Sequence, residues 1–118
     1  MAKHTEIGTK GEQIAVKFLK NKGYEIVALN WRSGKKEIDI IALHGNDIIF
    51  AEVKTRSHFR LGFPEEAVSG PKKEHLKLAA TAYLDDHHCD KTIRFDIISI
   101  LMTGGEAVEI LHLEDAFY

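Results

Sequence analysis

Residues 37–54, EIDIIALHGNDIIFAEVK, decide the fold. Glu37–Leu43 and Ile48–Lys54 each read as a strand, and Gly45-Asn46 between them is a two-residue hairpin signal. That loop pairs Leu43 with Ile48, Ile41 with Phe50, Asp39 with Glu52 and Glu37 with Lys54. Side chains alternate along a strand, so these eight share one face, apolar near the turn and charged at the far end. Opposed side chains in such a pair have Cβ atoms about 4.5–5.5 Å apart, where like charges destabilise. Asp39 facing Glu52 therefore asks for a cation. A hard divalent ion suits, because Mg²⁺ is held by one or two carboxylates together with waters and phosphate oxygens. Charge spacing alone leaves a second reading open, a solvated strand end with Glu37–Lys54 and Asp39–Lys54 ion pairs.

Working outward, Glu6–Lys22 places Ile7, Gly11, Ile14, Ala15, Phe18 and Leu19 at helical spacing, with Gly23 as the stop. Tyr24–Arg32 reads as a strand, and Ser33–Lys36 turns it into the Asp39 strand. Thr55–Glu66 reads as an irregular basic and aromatic loop. A second helix is expected from about Ser69-Gly70-Pro71 to His87, with Leu76, Ala79, Ala80 and Tyr83 as its buried stripe. Thr92–Leu101 follows as a strand with Ile93, Phe95, Ile97 and Ser99 on one face. Gly104-Gly105 then turns into a last short strand, Ala107–Leu113. Short connections make the first three strands an antiparallel meander, and the second helix is long enough to cross over to a parallel strand. The expected fold is α/β: a mixed-sheet α/β sandwich in the order αβββαββ.

The 118 residues suit one domain spanning 1–118, and a composition 44 % hydrophobic and 29 % charged is that of a globular rather than a disordered chain. No apolar run is long enough to span a bilayer, and the first residues lack the apolar stretch of a secretory signal. A single cysteine, Cys89, excludes an internal disulfide framework, so a cytoplasmic location is expected. The net charge of −2 is unevenly spread: residues 1–31 and 32–77 each carry +2, and residues 78–118 carry −6. A basic first two-thirds fits a protein that meets phosphate on one side.

Several segments together resemble a known family. They are Gly11-Glu12-Gln13-Ile14-Ala15, Asn30-Trp31-Arg32, Glu37-Ile38-Asp39-Ile40-Ile41, Phe50-Ala51-Glu52-Val53-Lys54-Thr55-Arg56, the Lys72/Lys73 helix and Arg94-Phe95-Asp96-Ile97-Ile98. Over nearly its whole length the chain resembles the YraN-like family of small bacterial proteins. That family falls within the restriction-endonuclease-like PD-(D/E)XK superfamily, which includes the archaeal Holliday-junction resolvases. The resemblance implies a restriction-endonuclease-like core and Mg²⁺- or Mn²⁺-dependent cleavage of phosphodiester bonds. By position, Asp39 and Glu52 correspond to the metal carboxylates and Lys54 to the motif lysine. Glu12 corresponds to the additional acid that resolvase-type members carry on the first helix. Residue 38, before the motif aspartate, is Ile rather than Pro.

On this reading Asp39 and Glu52 hold the metal, with the Val53 carbonyl as a further ligand. Lys54 orients or deprotonates the attacking water. Glu12 completes the shell through water or positions Lys54. It has a structural alternative, because Thr9-Lys10-Gly11-Glu12 matches a capping box, whereas a start at Thr5 puts it mid-helix. Lys72 and Lys73 fall in the first turn of the second helix, where the macrodipole disfavours cations, so they read equally as phosphate contacts or as solvated lysines. Arg32, Lys35, Lys36, Arg56 and Arg60 are candidates for a backbone-contact patch, Arg56 foremost. The run Asp85–Asp90 has metal-binding side chains but lacks the spaced pairs of a structural zinc site. Phe59 and Trp31 are candidates for base stacking, with Trp31 reading better as core. Two functions follow: a nuclease acting on DNA, with branched or damaged DNA suggested by the resolvase likeness, or a non-catalytic nucleic-acid-binding or adaptor protein. A resolvase cutting two strands implies a homodimer.

Overall fold

The Gly45-Asn46 loop closes the central hairpin as the sequence predicts, with Gly45 alone of the two at positive φ, as a type II′ turn requires. The structure, a computed structural model, describes residues 6–56 and 70–117, with the backbone alone for residues 6–9. The elements are α1 (Glu6–Asn21), β1 (Glu25–Ser33), β2 (Lys36–His44), β3 (Asp47–Arg56), α2 (Gly70–Asp86), β4 (Thr92–Thr103) and β5 (Glu106–Phe117). This is the expected αβββαββ order. The loop segment from residue 57 to 69, with Phe59 and Arg60, lies outside the described residues.

The strands form one sheet in the order β1-β2-β3-β4-β5. β1, β2 and β3 are an antiparallel meander, β3 and β4 run parallel, and β4 and β5 form an antiparallel hairpin. α2 supplies the crossover that a parallel pair needs. The two faces bury separate cores. Leu76, Ala79, Ala80 and Tyr83 of α2 pack on Ile41, Ile48, Phe50, Phe95 and Ile97. On the other face Ala15 and Leu19 of α1 pack on Ile40, Ala42, Ile49, Ala51, Val53, Ile98 and Ile100. Trp31 belongs to the α2 side, edge-on to Tyr83 with ring centroids 5.3 Å apart, so it is core.

Local chemistry explains the ends of α1. Gly23, at φ +91°, takes the left-handed position that closes a Schellman motif: the Tyr24 amide donates to the Leu19 carbonyl and the Gly23 amide to the Lys20 carbonyl, both at 3.0 Å. Because α1 begins at Glu6, Glu12 stands in the second turn, not at N3 of a capping box at Thr9. Gly11 meets the end of β3 so closely that a Cβ there would run into the Thr55 hydroxyl and sit 3.3 Å from its Cβ and Cγ2.

One expectation about the last strands needs correction. β5 is not short: it runs for 12 residues. A register shift between Phe95 and Ile97, with Asp115 at φ +53°, lets it continue past Leu113 until Phe117 stacks on Phe95. On β4, Phe95 and Ile97 enter the α2-side core, while Ile93, two residues before Phe95, is 47 % exposed.

A buried ion network not foreseen from the sequence ties these pieces together on the α1 side. Asp96 is fully buried. Its Oδ1 accepts from Arg94 Nε and from the Asp115 amide, both at 3.0 Å, and its Oδ2 accepts from Arg94 at 2.9 Å and His112 Nε2 at 2.7 Å. Burial alone would push the Asp96 carboxyl up, but the bonds from His112, Arg94 and the Asp115 amide hold it below its ordinary value. An ionised carboxylate only accepts, so His112 carries its proton on Nε2, leaving Nδ1 to accept from Lys22 Nζ at 2.9 Å. Arg94 also bonds the Tyr24 hydroxyl at 2.6 Å and Asp47 at 3.2 Å, which links β4 to the start of β1 and to β3.

Gly11→Ala should lower stability by about 1–2 kcal/mol although Ala is the better helix residue, because overpacking against Thr55 outweighs propensity. A thermal double-mutant cycle with Thr55→Ala should return a coupling of about 1 kcal/mol, and additivity would contradict the close contact. Asp96→Ala removes the buried carboxylate on which Arg94, His112 and the Asp115 amide converge and should cost about 3–5 kcal/mol in urea unfolding.

Candidate metal and phosphate site

The β2–β3 ladder follows the expected register from His44↔Asp47 to Ile40↔Ala51, and there it stops. The two pairs predicted beyond that point, Asp39–Glu52 and Glu37–Lys54, are not ladder pairs. Instead the Val53 amide donates to Asp39 Oδ2 at 2.9 Å, so a side chain takes the hydrogen bond that a backbone carbonyl would have taken. β2 is irregular at the same place. Ile38 packs with the α2-side core and Ile40 with the α1-side core, although a two-residue period would put them on one face. Across from Asp39, between the pairs Trp31↔Ile38 and Leu29↔Ile40, Asn30 of β1 adopts φ +49°. Asn is among the few residues that accept this conformation.

Glu52 lies on the α2 face of β3, two residues beyond Phe50, and is 4 % exposed. Burial pushes its carboxyl up, the Asp39 charge pushes it further, and Lys72 and Lys54 draw it partly back, leaving it at about 7. Its Oε2 lies 3.4 Å from Lys72 Nζ, whereas its buried Oε1 has no hydrogen-bond partner among the described residues. A buried carboxylate oxygen without a donor is costly, and a cation is one remedy.

The structure sorts the remaining candidates. Lys54 is half-buried beside Ser99 of β4. Glu37 pairs not with Lys54 but with Arg32, Nε to Oε2 at 3.5 Å, and Glu37 Oε2 is otherwise without a hydrogen bond among the described residues. Glu12 comes from the α1 layer and lines a cavity of about 320 Å³ with Gln13, Val16, Leu29 and Asn30. Among the described residues no three His, Cys, Asp or Glu side chains gather into a metal-holding group, so Glu12 does not form a three-carboxylate cluster with Asp39 and Glu52, and the Asp85–Asp90 run forms no such group either. Lys35 occupies the two-residue turn between β1 and β2, flanked by the Ser33↔Lys36 pair, and Arg56 ends β3. From sequence Lys72 and Lys73 read alike, as phosphate contacts or as solvated lysines. The fold separates them: Lys72 reaches Glu52, while Lys73 lies over the Phe117 ring at 5.5 Å.

A donor set of Asp39, Glu52 and a backbone carbonyl would be all oxygen, the chemistry of a hard divalent ion rather than of zinc or a soft metal. Two carboxylates are enough for Mg²⁺, which keeps waters and takes substrate oxygens for its other positions. The orphaned Glu52 Oε1 and the like charge of Asp39 nearby both fit such an ion.

The sequence model of an uncharacterised protein family, UPF0102, matches residues 11–100, a span that contains every one of these side chains. Among similar proteins, a UPF0102 protein of Christiangramia forsetii is 44 % identical over 118 residues, covering 100 % of this chain and 98 % of that one. One from Phocaeicola vulgatus is 44 % identical over 120 residues, covering 100 % and 97 %. One from Rhodococcus jostii is 40 % identical over 119 residues, covering 99 % and 100 %. No described helix is long and apolar enough to cross a membrane.

The Glu52 carboxyl carries a pH dependence. With its pKa raised from 4.5 to about 7, the folded chain keeps a proton that the unfolded chain has lost. The group's contribution is therefore greatest at low pH and is lost as pH rises from about 4.5 to about 7, on the order of 2–3 kcal/mol in metal-free protein. Urea unfolding of wild type and Glu52→Gln at pH 5 and pH 8 checks this: the wild type should lose that much more stability than the variant.

Proposed function

Since the chain belongs to the uncharacterised protein family UPF0102, the YraN-like group, its chemistry has to be read from the site, and we propose that it is a Mg²⁺- or Mn²⁺-dependent nuclease acting on DNA. The observation that carries this reading is the Asp39 carboxylate bonded to the Val53 amide, next in sequence to Glu52, at the point where β2 and β3 part, with one buried Glu52 oxygen lacking a donor among the described residues. A divalent ion there would give the orphaned oxygen a partner and offset the two like charges.

Asp39, Glu52 and the Val53 carbonyl would hold the ion. When bound, it supplies a nucleophilic hydroxide at neutral pH and Lewis-acid stabilisation of the phosphoryl oxygens. The protein's own groups do the rest. The Val53 amide fixes the Asp39 carboxylate, so the anionic donor is oriented before substrate arrives. Lys54, on the same strand and two residues from Glu52, orients the attacking water and pairs with the scissile phosphate. Arg32, Lys35 and Lys36 on the β1–β2 hairpin and Arg56 at the end of β3 offer backbone contacts without base specificity. Branched or damaged DNA is the substrate class suggested by likeness to the resolvases, and a homodimer is the assembly that two-strand cutting would require.

Purified protein incubated with Mn²⁺ and a panel of branched, flapped, nicked and single-stranded DNAs tests the proposal. Wild type should cut at least one, and Asp39→Ala/Glu52→Ala should lose at least about 10³-fold in rate, the scale of one strong electrostatic contribution to catalysis. Absence of cleavage, or equal cleavage by the folded double variant, refutes it. DNA binding that falls steeply with salt but persists in EDTA, without cleavage, would favour the non-catalytic reading.

A further inference from the structure

We propose that Lys72 is a built-in counter-ion of the carboxylate pair, occupying by its ammonium part of the charge position that a divalent cation takes over. This rests on the site reading above and adds a residue that the D…E-x-K pattern does not contain. Lys72 Nζ lies 3.4 Å from Glu52 Oε2, and the two side chains differ sharply in exposure, 47 % for the lysine against 5 % for the glutamate. The glutamate is fixed in the sheet. The lysine reaches in from the solvent side, and a long flexible side chain of that exposure turns outward at little cost.

The helix position sharpens the argument. Lys72 stands in the first turn of α2, and no acidic residue accompanies it there. The macrodipole makes that a poor place for a cation, and proximity to Glu52 offsets the local repulsion. Once a divalent ion neutralises Glu52, the attraction of Glu52 for the ammonium is weakened, and the helix end favours an anion over the lysine's inward position. Lys72 then turns toward solvent, where an incoming phosphodiester lies. Glu52 Oε1, buried and without a donor among the described residues, is the oxygen left for an ion, so the ammonium and the ion compete through one carboxylate. Lys54 does not have this role: it projects from β3 itself, and its backbone is held by the ladder to β4.

The test is a Mn²⁺ titration of full-length protein, following free Mn²⁺ by electron paramagnetic resonance, without DNA. Lys72→Met removes the competing charge and should bind Mn²⁺ about 5- to 10-fold more tightly than wild type, the scale expected for one charge-assisted contact. Lys72→Arg should remain at the wild-type affinity. A merely structural lysine would lower affinity or leave it unchanged on removal, so tightening is the diagnostic sign. Lys72→Gln runs in parallel in case the methionine variant misfolds, with metal-free thermal unfolding as the check on both. Tightening in Lys72→Met or Lys72→Gln supports the proposal, including the case in which only the variants bind measurably. Wild-type binding that is unchanged or weakened in both overturns it and leaves the metal-site reading standing. No Mn²⁺ binding by any folded form overturns both.

Discussion

One hydrogen bond governs the site: the Val53 amide donating to Asp39 Oδ2. Two neighbouring strands cannot separate without orphaning the donors that faced each other, and an unpaired buried amide costs about 1–3 kcal/mol. Asp39 satisfies the amide from its side chain, so β2 and β3 diverge after Ile40↔Ala51 without that penalty. The same bond pins the carboxylate next to Glu52. The divergence and the acidic pair are therefore one feature, and an apolar residue at 39 would remove both.

Two buried carboxylates on adjacent strands show how environment assigns roles. Glu52 and Asp96 sit one register position apart, since Ala51 pairs with Asp96 and Glu52 with Ile97, and they face opposite layers. Asp96 receives four hydrogen bonds, two of them from a guanidinium, and its carboxyl is lowered. Glu52 has a carboxylate neighbour and an oxygen with no donor, and its carboxyl is raised. The first is a finished internal joint that fastens β4, β5, β3 and the α1–β1 corner. The second is incomplete from the protein's own groups. Incompleteness of this kind marks ligand sites, because a fully satisfied anion has nothing left to offer a metal.

The fold was largely legible because its signals are local. The Gly45-Asn46 turn, the 3.6-residue stripe Leu76, Ala79, Ala80 and Tyr83, and the Gly23 cap each act over a few residues. The hairpin register could be extrapolated only while the ladder held, and it failed at Asp39 because a side chain took over a backbone role. Asp96 was harder to read. It sits between Phe95 and Ile97 in an otherwise apolar strand, which is a signal that the position is buried and must be paired. Its partner His112 is 16 residues away and reaches it across a register shift that alternation cannot predict. Lys72 illustrates the third limit. Its place in the first turn could be read from the chain, but its contact with Glu52 depends on where α2 lies over the sheet, which no local pattern specifies.

The choice of Asp at 39 and Glu at 52 follows from the same geometry. The residue that replaces a backbone acceptor must keep its oxygens close to its own strand, which favours the shorter side chain. The residue on β3 has its main chain committed to β4 through Ile97 and to the Val53 turn-away from β2, so a longer side chain is needed to bring a carboxylate over the gap. A short donor and a longer one would let the pair meet an ion without moving the sheet. Moving the sheet would be expensive, because β3 is central, buried on both faces, and clamped against α1 where Gly11 lies on Thr55. Rigidity therefore resides in the strands and their two carboxylates and adjustment in one exposed lysine, the division that lets a small chain bind a charged ligand without local unfolding.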